Sequence, residues 1–215
     1  MKKPIIFLLT IITISLVACE PDPFDGPYDR RDYEHYGYHD SASESHGNSE
    51  KSYTITKLYS IVMRRTLPYP FSAYVLQIDN GSYFYMLRYH FNQDLAVGDK
   101  ISFGVYSYCQ NEIAVINGCE LGNGEDATQS SSAGAGEYLI ASDPIEAYVK
   151  AIFAMKVIYT VPLFPIDTWF IETTDGNLVY VKKSKLNVSL KTGDHFVYNT
   201  YTTFPNEILA IKKLP

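Results

Sequence analysis

From Tyr53 onward, apolar and polar residues alternate over short stretches rich in β-branched and aromatic side chains, broken by Asp-Asn-Gly, Asp-Gly and Gly-Asp. A period of two with such breaks predicts strands. They are expected near 53–63, 71–78, 82–90, 99–108 and 112–118, and again near 148–158, 166–173, 177–185, 194–203 and 207–213. Asn80-Gly81 and Asp175-Gly176 predict tight hairpins between the second and third strand of each set. "HFNQDLAVGD" and "KLNVSLKTGD" form wider loops before the fourth. Ser142-Asp143-Pro144 with Glu146 could start a helix, but Val149, Ala151 and Phe153 give no helical stripe, so a strand is expected there.

The two sets are copies of one unit. The 37 residues from Asn80 align without a gap on those from Asp175, at an offset of 95, with eleven identities. These are Gly81/Gly176, Tyr85/Tyr180, Asn92/Asn187, Leu95/Leu190, Gly98/Gly193, Asp99/Asp194, Tyr106/Tyr201, Asn111/Asn206, Glu112/Glu207, Ile113/Ile208 and Ile116/Ile211. They concentrate on turn and core residue types, as an internal repeat requires. The expected organisation is a first repeat over 52–119, a Gly/Ser-rich linker over 120–144 and a second repeat over 145–215. "EYLIA", 137–141, could add a strand to either repeat.

The N-terminus follows a different pattern. Lys2 and Lys3 precede an apolar stretch from Ile5 to Val17, which ends at Ala18-Cys19 and gives way to acid and proline. The stretch is shorter than the roughly 20 residues that span a bilayer, so a removed signal segment over 1–18 is expected. Leu16-Val17-Ala18-Cys19 resembles the lipobox of bacterial lipoproteins. The resemblance implies lipidation of Cys19 and cleavage before it. Residues 19–51 are dense in Pro, Gly, Ser, Asp and Glu and predict a disordered tether. Their acidic start, Glu20, Asp22 and Asp25, resembles the signals of surface-exposed lipoproteins of the Bacteroidota, which implies an outer-membrane anchor with the body on the periplasmic or the outer face. His35, His39 and His46 fall in this tether, which offers no scaffold to hold ligands at fixed geometry, so no metal site is expected.

Composition narrows the function. Apolar residues are 46% of the chain and there are 19 tyrosines against one tryptophan, which suits folded domains with real cores. Loss of residues 1–18 removes two lysines and no acid, taking the formal charge from −6 to −8. An acidic body does not attract phosphate backbones, so no nucleic-acid partner is expected despite the local strip Lys182, Lys183 and Lys185. No catalytic motif is present and no cofactor is expected. His90 and His195 do not align between the repeats and read as surface residues. Asp99 and Asp194 are expected to hydrogen-bond a turn, and Asn111 and Asn206 to shape the turn before the last strand. Cys109 and Cys119 sit too far apart along a tight hairpin for a bridge.

Three strands, an intervening segment and a closing hairpin, with Leu95 to Asp99 and Leu190 to Asp194 leading into the fourth strand, resemble the OB fold. The expected fold class is therefore all-β, two tandem five-stranded small barrels, with an SH3-like barrel or small sandwich as the alternative. The resemblance implies a ligand face on strands two and three. There Phe84 and Met86 point to a core, while Tyr83, Tyr85 and Tyr89 project the other way with Tyr106 and Tyr108 beside them. Tyr180 and Tyr201 are the retained counterparts in the second repeat. These tyrosines could stack on sugars or meet a partner protein, or they could pack against the sister repeat. The functional expectation is a lipid-anchored envelope binding or assembly module without catalysis, whose ligand is a glycan or an envelope protein. An accessory envelope hydrolase is the alternative.

Overall fold

The computed structural model describes residues 51–66, 69–88, 91, 94–120, 122, 128–129, 141–159 and 164–215. Residues 19–50 of the tether, Cys19 included, and Tyr89 and His90 lie outside these residues. The described chain is all-β. Its first repeat contains β1 (Tyr53–Thr66), β2 (Tyr69–Ile78), β3 (Tyr83–Leu87), β4 (Lys100–Tyr106) and β5 (Cys109–Glu120). A two-residue strand follows, β6 (Thr128–Gln129). The second repeat contains β7 (Ile145–Ile158), β8 (Pro165–Thr173), β9 (Leu178–Lys182), β10 (His195–Thr200) and β11 (Ile208–Lys213). The helix signal at Ser142 to Glu146 is overridden, as β7 begins at Ile145 and pairs there with Tyr198.

The pairings are the same in both repeats. In the first, β1 pairs with β2 and with β4, β2 with β3, β4 with β5, and β3 meets β5 in parallel at Tyr85 and Glu112. In the second, β8 pairs with β7 and β9, β10 with β7 and β11, and the parallel contact is the bridge between Tyr180 and Glu207. The first strands correspond at an offset of 94 rather than 95. Ile55 bonds across its repeat to Gly98 and Asp99, while Val149 bonds in the same way to Gly193 and Asp194.

The turns follow from their residues. Gly81, Gly98, Gly176 and Gly193 all have positive φ, from 86° to 96°, which glycine adopts without a Cβ penalty. The aspartate after each Gly-Asp glycine closes its loop as expected. Asp99 Oδ2 accepts from the Ala96 amide and Asp194 Oδ2 from the Lys191 amide, both at 2.8 Å.

Each repeat has its own interior. Ile55, Leu58, Tyr74, Leu76, Ile78, Met86, Leu95, Ile101 and Ile113 form the first. Val149, Ile171, Val179, Val181, Phe196, Tyr198 and Ile208 belong to the second. A third cluster belongs to neither repeat alone: Tyr59, Ile61, Met63, Val75, Tyr85 and Leu87 meet Met155, Val157, Phe170, Leu178 and Tyr180 in one buried layer. Much of β1, β2, β3, β8 and β9 is thus buried on both faces, whereas β7 keeps Tyr148, Lys150, Ala154 and Lys156 exposed. Runs such as Tyr74-Val75-Leu76 and Leu178-Val179-Tyr180-Val181 are buried without a break.

Candidate functional site

The junction between the repeats gathers most of the tyrosines singled out above. Tyr85 and Tyr180 are fully buried, and Tyr106 is 9% exposed. Tyr83 is half-buried and stacks on Phe153 of the other repeat, with ring centroids 3.6 Å apart. Phe153 in turn stacks on Phe170 at 5.5 Å. Tyr106 stacks on Tyr108 at 5.0 Å. Tyr201 stands in a separate cluster with Val62 and Phe204, and Arg64 lies over both of those rings, 5.2 and 5.4 Å from their centroids.

Of the two readings of these tyrosines, a ligand platform or packing against the sister repeat, the arrangement shows the second for Tyr85 and Tyr180. Alternation along β3 sends Met86 into the first repeat's interior and Tyr85 to the opposite face, but the sister repeat covers that face. Two apolar sheet faces on one chain remove more surface from water by meeting each other than by standing apart.

The contact is locked by hydrogen bonds that run both ways with the same residues. The Asn206 Oδ1 accepts from the Val62 amide at 2.8 Å, and its Nδ2 donates to the Leu178 carbonyl at 2.8 Å. Asn111 does the same in reverse: Oδ1 accepts from the Lys156 amide and Nδ2 donates to the Tyr83 carbonyl, both at 3.1 Å. Two residues further along each first strand, the Arg64 amide donates to the Tyr180 hydroxyl at 3.0 Å, and the Ile158 amide to the Tyr85 hydroxyl at 3.2 Å. Tyr85 donates on to Glu112 at 2.7 Å. The identities Tyr85/Tyr180, Asn111/Asn206 and Glu112/Glu207 therefore build a pseudo-symmetric clamp, in which each repeat caps the free edge of the other's first strand. The turn expected at the asparagines is found at Asn206, where the Glu207 amide donates to the Phe204 carbonyl at 2.9 Å, but not at Asn111. Asn111 lies inside β5, and both side chains act as cross-links.

Charges finish the two ends of the junction. Arg64 pairs with buried Glu207. At the other end, Glu172 of β8, with a side chain 3% exposed, bridges Lys57 of the first repeat at 3.0 Å and Lys150 of its own at 2.8 Å. Burial alone would raise the Glu172 carboxyl, but the hydrogen bonds from Lys150, Lys57 and Tyr59 outweigh it and hold the group below the usual carboxylate range. Lys57 is held above its ordinary value because Glu172 outweighs the burial that would lower it. Buried groups without such partners move the other way: burial raises the Cys109 thiol and the Tyr85 and Tyr180 hydroxyls, with Glu112 and Glu207 adding to the tyrosine shifts.

Because Glu172 is depressed in the folded chain, its stabilisation is fully present above the unfolded carboxylate value of about 4.3 and is lost as pH falls toward the lower folded value. Glu172→Gln is expected to cost about 1–2 kcal/mol at neutral pH by removing two charge-assisted bonds, since the lysine ends stay open to solvent. It should also flatten the loss of stability between pH 5 and 3. Urea unfolding across that range checks both, and a variant with the wild-type acid slope would remove Glu172 from the account.

Of the remaining candidates, Cys109 belongs to the junction, where its thiol donates to the Lys156 carbonyl of the other repeat at 3.3 Å, while His195 and Cys119 lie outside the shared cluster. His195 is half-buried and stacks on Tyr148 at 4.4 Å. Cys109 and Cys119 are free thiols; opposite Tyr106 and Ile101 respectively, they sit at the two ends of the β4–β5 hairpin. Among the described residues no three His, Cys, Asp or Glu side chains are grouped to hold a metal. Comparison of the chain with models of known families, with curated proteins and with solved structures finds no match.

The cross-linking residues Phe153, Arg64 and Glu172 escape a reading based on identities because they differ between the repeats. The available signal was the unbroken apolar runs of β2, β3 and β9, which indicate strands covered on both faces.

Proposed function

We propose that this chain is a non-catalytic, lipid-anchored binding or assembly module of the bacterial cell envelope, whose two OB-like repeats act as one fused body. The anchor rests on the resemblance of Leu16-Val17-Ala18-Cys19 to a lipobox. The OB-like assignment is supported by the strand pairings, in which the first strand meets the second and fourth while the third meets the fifth in parallel.

One observation carries the functional reading. The face on strands two and three, where an OB barrel takes its ligands, is in both repeats consumed by the contact between them. That weakens the glycan platform and favours a protein partner met on the outer surfaces. The outer-membrane location, with the body on either face, follows from the anchor reading alone.

The test has two arms. In the native host, Cys19→Ser is expected to move the protein from the membrane fraction to the soluble one, and retention in the membrane would end the anchor reading. The mature chain is then screened against glycans and peptidoglycan fragments and cross-linked in intact envelopes. Stoichiometric cross-links to an envelope protein, without glycan binding or turnover, are expected. Turnover of a glycan or peptide that a single substitution abolishes would replace the module with an enzyme.

A further inference from the structure

The first strands of both repeats leave their fourth-strand neighbours early, since β1 pairs with β4 only at Tyr53 and Thr54, and β7 with β10 only up to Tyr148. Beyond a bulge in each, the strand continues with one edge turned away from its own repeat. On β1 that edge is filled along its length. Thr128 and Gln129 lie parallel to Tyr59 and Ser60, and the clamp takes the amides of Val62 and Arg64.

On β7 the clamp takes the corresponding amides of Lys156 and Ile158. Period-two alternation then points the amides of Ile152 and Ala154 out of the same edge. Among the described residues no strand pairs with them on that edge. The side chains agree with the backbone: Ser60 and Tyr59 beneath β6 are 6% and 4% exposed, whereas their counterparts Ala154 and Phe153 are exposed and half-buried.

We propose that the edge of β7 at Ile152–Ala154 is a strand-addition site for an extended segment of a partner protein, docked parallel to β7 as β6 docks on β1. Main-chain hydrogen bonds supply the affinity in this mode, and the side chains beside the edge select the sequence. The small Ala154 side chain allows close approach. The repeat's own solution, Thr-Gln, indicates a partner segment of β-branched and polar residues rather than a bulky apolar one. Lys150 and Lys156 flank the position and are engaged with Glu172 and Asp167, which discourages edge-to-edge pairing between copies of this chain. The inference rests on the assembly reading only for the identity of the partner as a protein; the backbone argument is independent of it.

Amide hydrogen exchange on the mature chain tests the site without a known partner. The probe is a synthetic peptide of residues 124–132, GEDATQSSS, which contains the sequence of β6. In the free chain, Ile152 and Ala154 are expected to exchange far faster than Lys156 and Ile158. Titrating the peptide should slow those two amides selectively. Ala154→Pro, which removes the donor at an edge position where proline is tolerated, should keep the wild-type Tm and abolish the peptide effect. Protection of both amides in the free chain, or peptide-induced protection that survives Ala154→Pro, would overturn the proposal. A positive peptide result beside a failed Cys19 or envelope cross-linking experiment would leave the edge site standing and remove only the envelope setting.

Discussion

Asn206→Ala is expected to destabilise the protein by about 3 kcal/mol, more than the same change at Asn111. Both asparagines make the same pair of bonds, but Asn206 is 1% exposed with both contacts at 2.8 Å, while Asn111 is half-buried with both at 3.1 Å. Truncation at 206 strands the Val62 amide in the interior and removes the bond to Leu178. A buried orphan of this kind costs about 1–3 kcal/mol, and the lost packing adds to it. At Asn111 water can replace part of what is lost, and about 1–2 kcal/mol is expected.

Urea denaturation measures both variants, and the wild type should unfold in one transition because each repeat completes the other's first strand. Two separable transitions, or equal small costs at both positions, would show that the clamp does not hold the repeats together.

Raising the pH should unfold the protein steeply just beyond the ordinary range of tyrosine ionisation. Tyr59, Tyr85, Tyr159 and Tyr180 are all raised above their usual value, chiefly by burial, and Tyr198 is pushed up to about 12. The folded chain keeps these hydroxyls protonated while the unfolded chain ionises them near pH 10. Stability is therefore fully present below about 10 and falls as pH rises, because above that point the unfolded state binds fewer protons.

Each such tyrosine contributes a slope of up to ~1.4 kcal/mol per pH unit, so five give about 7 kcal/mol per unit. Against a typical stability of about 5–15 kcal/mol, unfolding is expected within about one to two units above pH 10. Tyrosinate absorbance and circular dichroism recorded on the same samples should change together for the buried group. Smooth ionisation of all tyrosines near pH 10 with the fold intact would contradict the buried layer.

The strands and turns were legible because their signals are local. Alternation placed ten strands to within a few residues, the Asn-Gly and Asp-Gly pairs placed the hairpins, and Gly98-Asp99 and Gly193-Asp194 marked loops that the aspartates close. Relations between the repeats were harder to read. A tyrosine alternating away from its own core looks the same whether water, a ligand or a sister domain lies beyond it, and Tyr85 and Tyr180 carry no local mark of which. The chain neighbourhood of Asn111 and Asn206 suggests a turn, which holds for Asn206 alone, and it says nothing of partners 45 and 144 positions away. The identities pointed to the right residues; only the fold could say that they face one another.

The long span of the clamp also orders events in time. Bonds that join Val62 to Asn206 and Arg64 to Tyr180 close loops of more than a hundred residues, and contacts this distant in sequence form late. The first repeat therefore completes its hairpins while Val75, Tyr85 and Leu87 are still uncovered, and it stays so until the second repeat has emerged and folded. During that interval the half-built molecule presents an apolar sheet face and an unfilled strand edge, which are the features that recruit other chains. Aggregation during synthesis, rather than unfolding of the finished protein, is the hazard this architecture creates, and substitutions that slow the second repeat should increase it even where they leave the final stability unchanged.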